Sequence, residues 1–166
     1  MKLARTIRHM ATPGWASRRR FRYADREAIR AAVAASEQLH RGELCVVIEG
    51  PLPVGSLLKG HSARQRAIEL FQKFGVGNTK EATGILIYVQ LVDRHVEILA
   101  DHGIDTRVDQ VEWETICREL ELAFSEGAYR RGVLEAIDRA TRLLALHFPA
   151  RPGDNINELD DRPTLF

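Results

Sequence analysis

Two apolar runs restrict most of what this chain can fold into. Leu44-Cys45-Val46-Val47-Ile48 and Gly84-Ile85-Leu86-Ile87-Tyr88-Val89-Gln90-Leu91-Val92 are continuous rather than alternating. That is the pattern of strands covered on both faces, and such strands need helices above and below. The sequence supplies them. Asp25 to His40 is alanine-rich, with Ile29, Ala32, Val33 and Leu39 at helical spacing, and Gly42 ends it. Ser62-x-x-Gln65 is a capping box that opens a helix through Ile68, Leu70, Phe71 and Phe74, which Gly75 stops. Between the first strand and that helix, Gly50-Pro51-Leu52-Pro53-Val54-Gly55 is a turn-rich break.

Asp93-Arg94 predicts a tight turn from the second strand into His95-Val96-Glu97-Ile98-Leu99-Ala100, giving an antiparallel hairpin. Asp109-x-x-Glu112 is a second capping-box-like start. Trp113, Ile116, Cys117, Leu120 and Phe124 then occupy one helical face. Ser125-Glu126-Gly127 breaks the chain before a last helix with Val133, Ile137, Ala140 and Leu144 inward. The order α-β-α-β-β-α-α predicts one α/β domain over residues 23–148, its small mixed sheet built from a parallel pair plus the hairpin and covered by about four helices. Residues 149–166, with Pro149, Pro152 and Pro163, read as an extended tail.

With 45% hydrophobic and 28% charged residues in 166, the chain has the balance of a globular domain. No apolar run approaches the roughly 18 residues of a membrane span. Cys45 and Cys117 stand in no metal-type spacing, so a disulfide scaffold and a zinc ribbon are not expected. Charge is uneven. Residues 1–30 hold nine Lys and Arg against Asp25 and Glu27, 9 − 2 = +7; the remainder holds 15 against 21, or −6. Residues 1–22 therefore read as a basic arm, either solvated or docked on an acidic body, with an anionic surface as an alternative partner. No aromatic stacking set or recognition motif accompanies the arginines, so nucleic acid is not expected. The first twenty residues lack the apolar core of a secretory signal, so a cytoplasmic location is expected.

Gly75-Val76-Gly77-Asn78-Thr79-Lys80 is no P-loop, because its glycines follow a helix and precede a strand. Arg8-His9-Met10 lacks the glycine of a histidine-phosphatase motif, and no nucleophile elbow or zinc-protease motif occurs. The informative feature is acidic: ten carboxylates lie between Asp93 and Glu126. With the first two strands parallel and the third antiparallel, Asp101 comes to the edge where the first strand starts. That edge also receives Glu43, Glu37 and His40, with Asp105 and Asp109 close by. Converging carboxylates suit a hard cation such as Ca²⁺ or Mg²⁺, which relieves their repulsion. Each residue also has an ordinary role: Asp109 as a helix N-cap, His40 as a helix-end cap, and Glu37 and Glu43 as solvated groups.

In these segments the chain resembles the TPM domain family, whose founding members are a thylakoid-lumen protein, a photosystem II repair protein and an acetylcholine-receptor auxiliary protein. The resemblance runs through Glu37-Gln-Leu-His40-Arg-Gly42-Glu43, the strand from Gly84, Asp93-Arg94, Ala100-Asp101-His102-Gly103-Ile104 and Trp113-x-x-Ile-Cys117. It continues in Gly127-x-Tyr129-x-x-Gly132, His147-Phe-Pro149 and Asn157-Glu-Leu-Asp-Asp-Arg-Pro163. It implies an αβα sandwich, as in the compact bacterial branch without signal peptide or anchor. It also implies Ca²⁺ or Mg²⁺ in an acidic cleft, for which Asp101, Glu37, Glu43 and Asp109 are the candidates, with His40, His102 and Asp105 as neighbours. Plant relatives are credited with weak acid phosphatase activity, and other members serve as accessory factors of membrane complexes. The favoured reading is a divalent-cation binding module acting as an accessory or interaction factor; the alternative is a weak metal-dependent phosphomonoesterase with His40 or His102 as general acid. Asp93 and Arg94 match the family's turn at the opposite edge and read as structural.

Overall fold

The computed structural model describes residues 2–151 and 157–166. Before the sheet come helices α1 (Lys2–Ala11), α2 (Trp15–Arg20) and α3 (Tyr23–Glu37). Strand β1 (Glu43–Glu49) is followed by α4 (Val54–Lys59) and α5 (Ala63–Lys73), then by β2 (Gly84–Gln90) and β3 (His95–Ala100). Helices α6 (His102–Asp105), α7 (Gln110–Ser125) and α8 (Tyr129–His147) precede the two-residue strand β4 (Thr164–Leu165). The sheet order is β3-β2-β1-β4. β1 and β2 run parallel from Glu43↔Gly84 to Glu49↔Gln90, and β2 and β3 antiparallel from Ile85↔Ala100 to Gln90↔His95.

Every residue of β1 and β2 is buried, as continuous apolar runs require. Side chains alternate between faces. Leu44, Val46, Ile48, Ile85, Ile87 and Val89 meet Ile29, Val33, Trp113, Leu120, Val133 and Leu144 of α3, α7 and α8. Cys45, Val47, Leu86 and Tyr88 meet Ala67 and Leu70 of α5 on the other side. The result is the αβα sandwich. Local chemistry sets the helix ends: Ser62 and Gln65 form the capping box of α5, and Asp109 Oδ1 accepts from Val111 N–H at the start of α7.

Five elements depart from the sequence expectation. The turn-rich break after Gly50 contains α4, a short helix ended by left-handed Gly60. Asp101 opens a one-turn helix, α6, rather than a loop. The basic segment is helical in α1 and α2. In the C-terminal segment, Thr164 and Leu165 pair in parallel with Val47 and Ile48, and Gly50 N–H donates to the Phe166 carbonyl. Two residues carry too short a pattern to announce a strand. Pro152 of the expected tail lies outside the described residues.

Gly84 is where the backbone of the Val76–Asn78 turn crosses the start of β2. A Cβ there would stand 1.8 Å from the Val76 carbonyl oxygen. Backbone on both sides leaves no cheap escape, so Gly84→Ala is expected to destabilise the fold by about 3 kcal/mol or more. Urea unfolding of the two proteins checks it; an unchanged midpoint would mean that the turn yields freely.

Candidate functional site

With both faces of the parallel pair covered, ionisable side chains collect where the strands begin and end. At the beginning of β1, the end of α3 meets the C-terminal segment. Glu37 closes α3 and Glu43 opens β1, and both are buried. Leu44 N–H donates to Glu37 Oε1 at 2.8 Å. The N–H groups of Glu158 and Leu159 both donate to Glu43 Oε2 at 3.1 Å. The Glu158 carboxylate accepts in turn from Lys80 N–H, so residues 157–161 strap the start of β1 to the loop before β2. Asn157 donates to Asp161 Oδ1 at 2.6 Å.

Asp161 shares a side-chain hydrogen bond with Glu37. Two carboxyl groups bond in this way only with a proton between them. Burial first, and then the neighbouring Glu43 and Asp161 charges, raise the Glu37 carboxyl from 4.5 to about 9. Burial likewise raises Glu43, against the pull of its two N–H donors. Burial, aided by Asp160 and Glu37, pushes the Cys45 thiol up to about 12, which keeps it protonated and unreactive.

Asp101 reaches the same sheet edge by a different route. Its N–H donates to the Gly84 carbonyl, one strand over from Glu43. β2 thus separates the backbones of the two residues by two strand spacings, about 10 Å. Asp101 Oδ1 caps α6 through His102 N–H at 2.8 Å. Its Oδ2 is buried and accepts no hydrogen bond among the described residues, and a Cβ on Gly77 would lie 3.7 Å from it. Asp105 sits one helical turn on, its carboxyl raised by burial and by Asp101 and lowered by Arg64. His102 is exposed, its Nδ1 3.2 Å from Asp101 Oδ1.

The structure does not gather all the candidates. Glu37 and Glu43 come together with Asp160 and Asp161; Asp101, His102 and Asp105 form a second group. Asp109 is exposed and caps α7. His40 belongs to the interior: Nε2 lies 2.7 Å from Ser36 Oγ, which reaches Thr141 Oγ1 at 2.6 Å, and Nδ1 lies 3.0 Å from the Gly42 carbonyl. Burial lowers its pKa to about 4, so the ring is neutral. Among the described residues, no three His, Cys, Asp or Glu side chains are arranged to hold a metal ion as they stand. Asp160 and Asp161 are the partners that sequence reasoning left without a role; an acidic doublet in a proline-bounded matching segment was the available signal.

The opposite edge handles its acids differently. Glu49, buried at the end of β1, takes an Arg66 fork at 2.7–3.2 Å and the Tyr88 hydroxyl at 2.6 Å. The Arg66 guanidinium is correspondingly raised, chiefly by Glu49. Asp93, in the hairpin turn whose Arg94 has a φ of 52°, takes Arg5 Nε at 2.9 Å and Arg8 at 2.8 Å. His9 Nδ1 accepts from Leu52 N–H, so its proton is on Nε2, 3.1 Å from Asp93 Oδ1. These partners hold the Asp93 carboxyl below the usual range despite its burial.

The fold is thus a mixed sheet of parallel pair plus hairpin, covered by helices on both faces, with acids where the parallel strands begin. The sequence model of the TPM domain matches residues 19–143, three quarters of the chain, and the chain belongs to the TPM domain family. It is similar to the NMR structure of the BA42 protein from the psychrophilic bacterium Bizionia argentinensis, with 28% identity and a TM-score of 0.76. That match covers 88% of this chain and 95% of that one. The N-terminal domain of a protein from P. gingivalis shares the fold at 20% identity and a TM-score of 0.63, covering 86% and 96%. No curated protein matches the chain.

The Glu37 carboxyl keeps its proton to about pH 9 when folded and loses it above about 4.5 when unfolded. Folding therefore takes up a proton in that window, and this group's contribution falls as pH rises through it. Glu37→Gln removes the dependence while still offering a donor to Asp161. The variant is expected to match the wild type near pH 4 and to exceed it by about 1–2 kcal/mol at pH 8. Thermal unfolding across the range checks this; a pH-independent gap would contradict the assignment.

Proposed function

We propose that this TPM domain is a divalent-cation binding module whose acidic edge controls the grip of its own C-terminal segment. The observation that carries the reading is that buried Glu37 faces carboxyl groups, Glu43 and Asp161, where buried Glu49 faces a guanidinium. Carboxyls so placed need a proton or a cation between them. The donor set is all oxygen, which suits Ca²⁺ or Mg²⁺ rather than a softer metal. Glu37, Glu43 and Asp161 would hold the ion, and Asp101 Oδ2 is a further buried carboxylate oxygen that accepts no hydrogen bond among the described residues. Because Asp161 and the N–H groups of Glu158 and Leu159 all reach this pair, exchange of proton for cation would reset the strap over residues 157–161. A module that changes its surface with cation concentration suits an accessory or interaction role. The phosphomonoesterase reading has less support, since His40 is neutral and engaged inside and Cys45 is held as a thiol.

Calorimetric titration of the metal-free protein with Ca²⁺ and Mg²⁺ tests the proposal. Saturable binding is expected, at least about tenfold tighter at pH 8 than at pH 6 because the ion displaces a proton. Glu37→Gln should abolish it, and Asp101→Asn shows whether the second group takes part. Absence of binding at millimolar metal, or binding unchanged in Glu37→Gln, would overturn the reading.

A further inference from the structure

We infer that α1 is an interfacial helix that seats the protein on an anionic lipid surface, with its apolar face turned away from the domain. Helices that pack on a domain bury their apolar side and leave polar residues in water. α1 is mounted the other way round. Arg5, Arg8 and His9 occupy one side and are spent on Asp93, on the His61 carbonyl and on Leu52 N–H. Leu3, Ile7 and Met10, at i, i+4 and i+7 on the other side, are 75%, 57% and 70% exposed. Ion pairs and hydrogen bonds, rather than apolar burial, fix this helix.

The exposed stripe does not stand alone. Leu58 of α4 is 80% exposed and lines the same cavity as Leu3. Trp15, just beyond α1, is also exposed. Beside them Asp93 and Glu97 line the same cavity, but both are paired with arginines, and Lys59 adds a positive charge. Arg19, Arg20, Arg22 and Arg94 are exposed, and Arg8, Arg20 and Arg94 line a cavity beside the hairpin turn. Residues 1–30 carry +7 while the remainder carries −6, so the apolar stripe lies in the basic part of the chain.

Apolar side chains at helical spacing, an interfacial tryptophan and a cationic rim are what a helix needs to lie in the headgroup region of an anionic bilayer. Among the described residues no helix is long and apolar enough to cross a membrane, so α1 lies on the surface and does not span it. A second copy fits this stripe poorly, because stripe-to-stripe pairing would bring two +7 segments together.

The test is co-sedimentation of the full chain with vesicles, in chelator so that it is independent of the cation reading. Vesicles of phosphatidylcholine alone are compared with phosphatidylcholine plus phosphatidylserine. Partition into the anionic vesicles is expected, falling steeply with salt and weak on the neutral ones. The triple variant Leu3→Gln, Ile7→Gln and Met10→Gln changes exposed positions to a good helix former, so the fold should survive, with an unchanged Tm. Its partition should fall at least about tenfold. Failure of the wild type to bind anionic vesicles at low salt would overturn the inference, as would equal binding by the triple variant. A lipid-free dimer that the triple variant loses would also overturn it, by assigning the stripe to protein contact.

Discussion

The pairing of β1 with β2 is the constraint on which the rest depends. Their parallel register holds from Glu43↔Gly84 to Glu49↔Gln90, and every residue along it is buried. Parallel pairing requires a crossover, and burial on both faces requires helices above and below. α5 supplies the crossover and one face; α3, α7 and α8 supply the other. Ionisable chemistry is thereby excluded from the faces and confined to the strand ends. Glu49 at one end is compensated by Arg66 and Tyr88. Glu37 and Glu43 at the other meet backbone N–H groups and further carboxyls. That difference in partners separates a structural ion pair from a candidate site.

Much of the sandwich was legible because its signals are local. Continuous apolar runs announced β1 and β2, the Ser62–Gln65 box announced α5, and the helical face through Trp113 announced α7. What escaped depends on distant or inverted information. α1 turns its charged side inward, against the usual amphipathic rule, so charge alone made it an arm. β4 is two residues held by pairing to Val47 and Ile48, which no local pattern encodes. The site divides in the same way. Strand directions brought Glu37, Glu43 and Asp101 to one edge, but only the register of β4 brings Asp161 to Glu37. Asp109 illustrates the converse, since its capping hydrogen bond was the ordinary role that its spacing also allowed, whereas His40, expected to cap a helix end, is buried against Ser36 and the Gly42 carbonyl.

Electrostatics ties the chain termini to the domain at opposite edges. Asp93 gathers Arg5, Arg8 and His9 and so mounts α1. Glu43 gathers the Glu158 and Leu159 amides, and β4 with the Gly50–Phe166 hydrogen bond fixes the far end of the same segment. The C-terminal segment is thus held at both ends, and between them Asp161 faces the raised carboxyl of Glu37. A proton held on buried Glu37 is a switchable element: removing it without replacement leaves a buried charge among neighbouring carboxyls.

The most direct measurement is NMR titration of the Glu37 side-chain carboxyl carbon, followed with and without Ca²⁺ or Mg²⁺. A midpoint near 9 in the metal-free protein, displaced downward by at least about one unit when metal is present, is the predicted result. A midpoint at the ordinary 4.5 that metal leaves unmoved would contradict both the raised Glu37 carboxyl and the cation reading built on it.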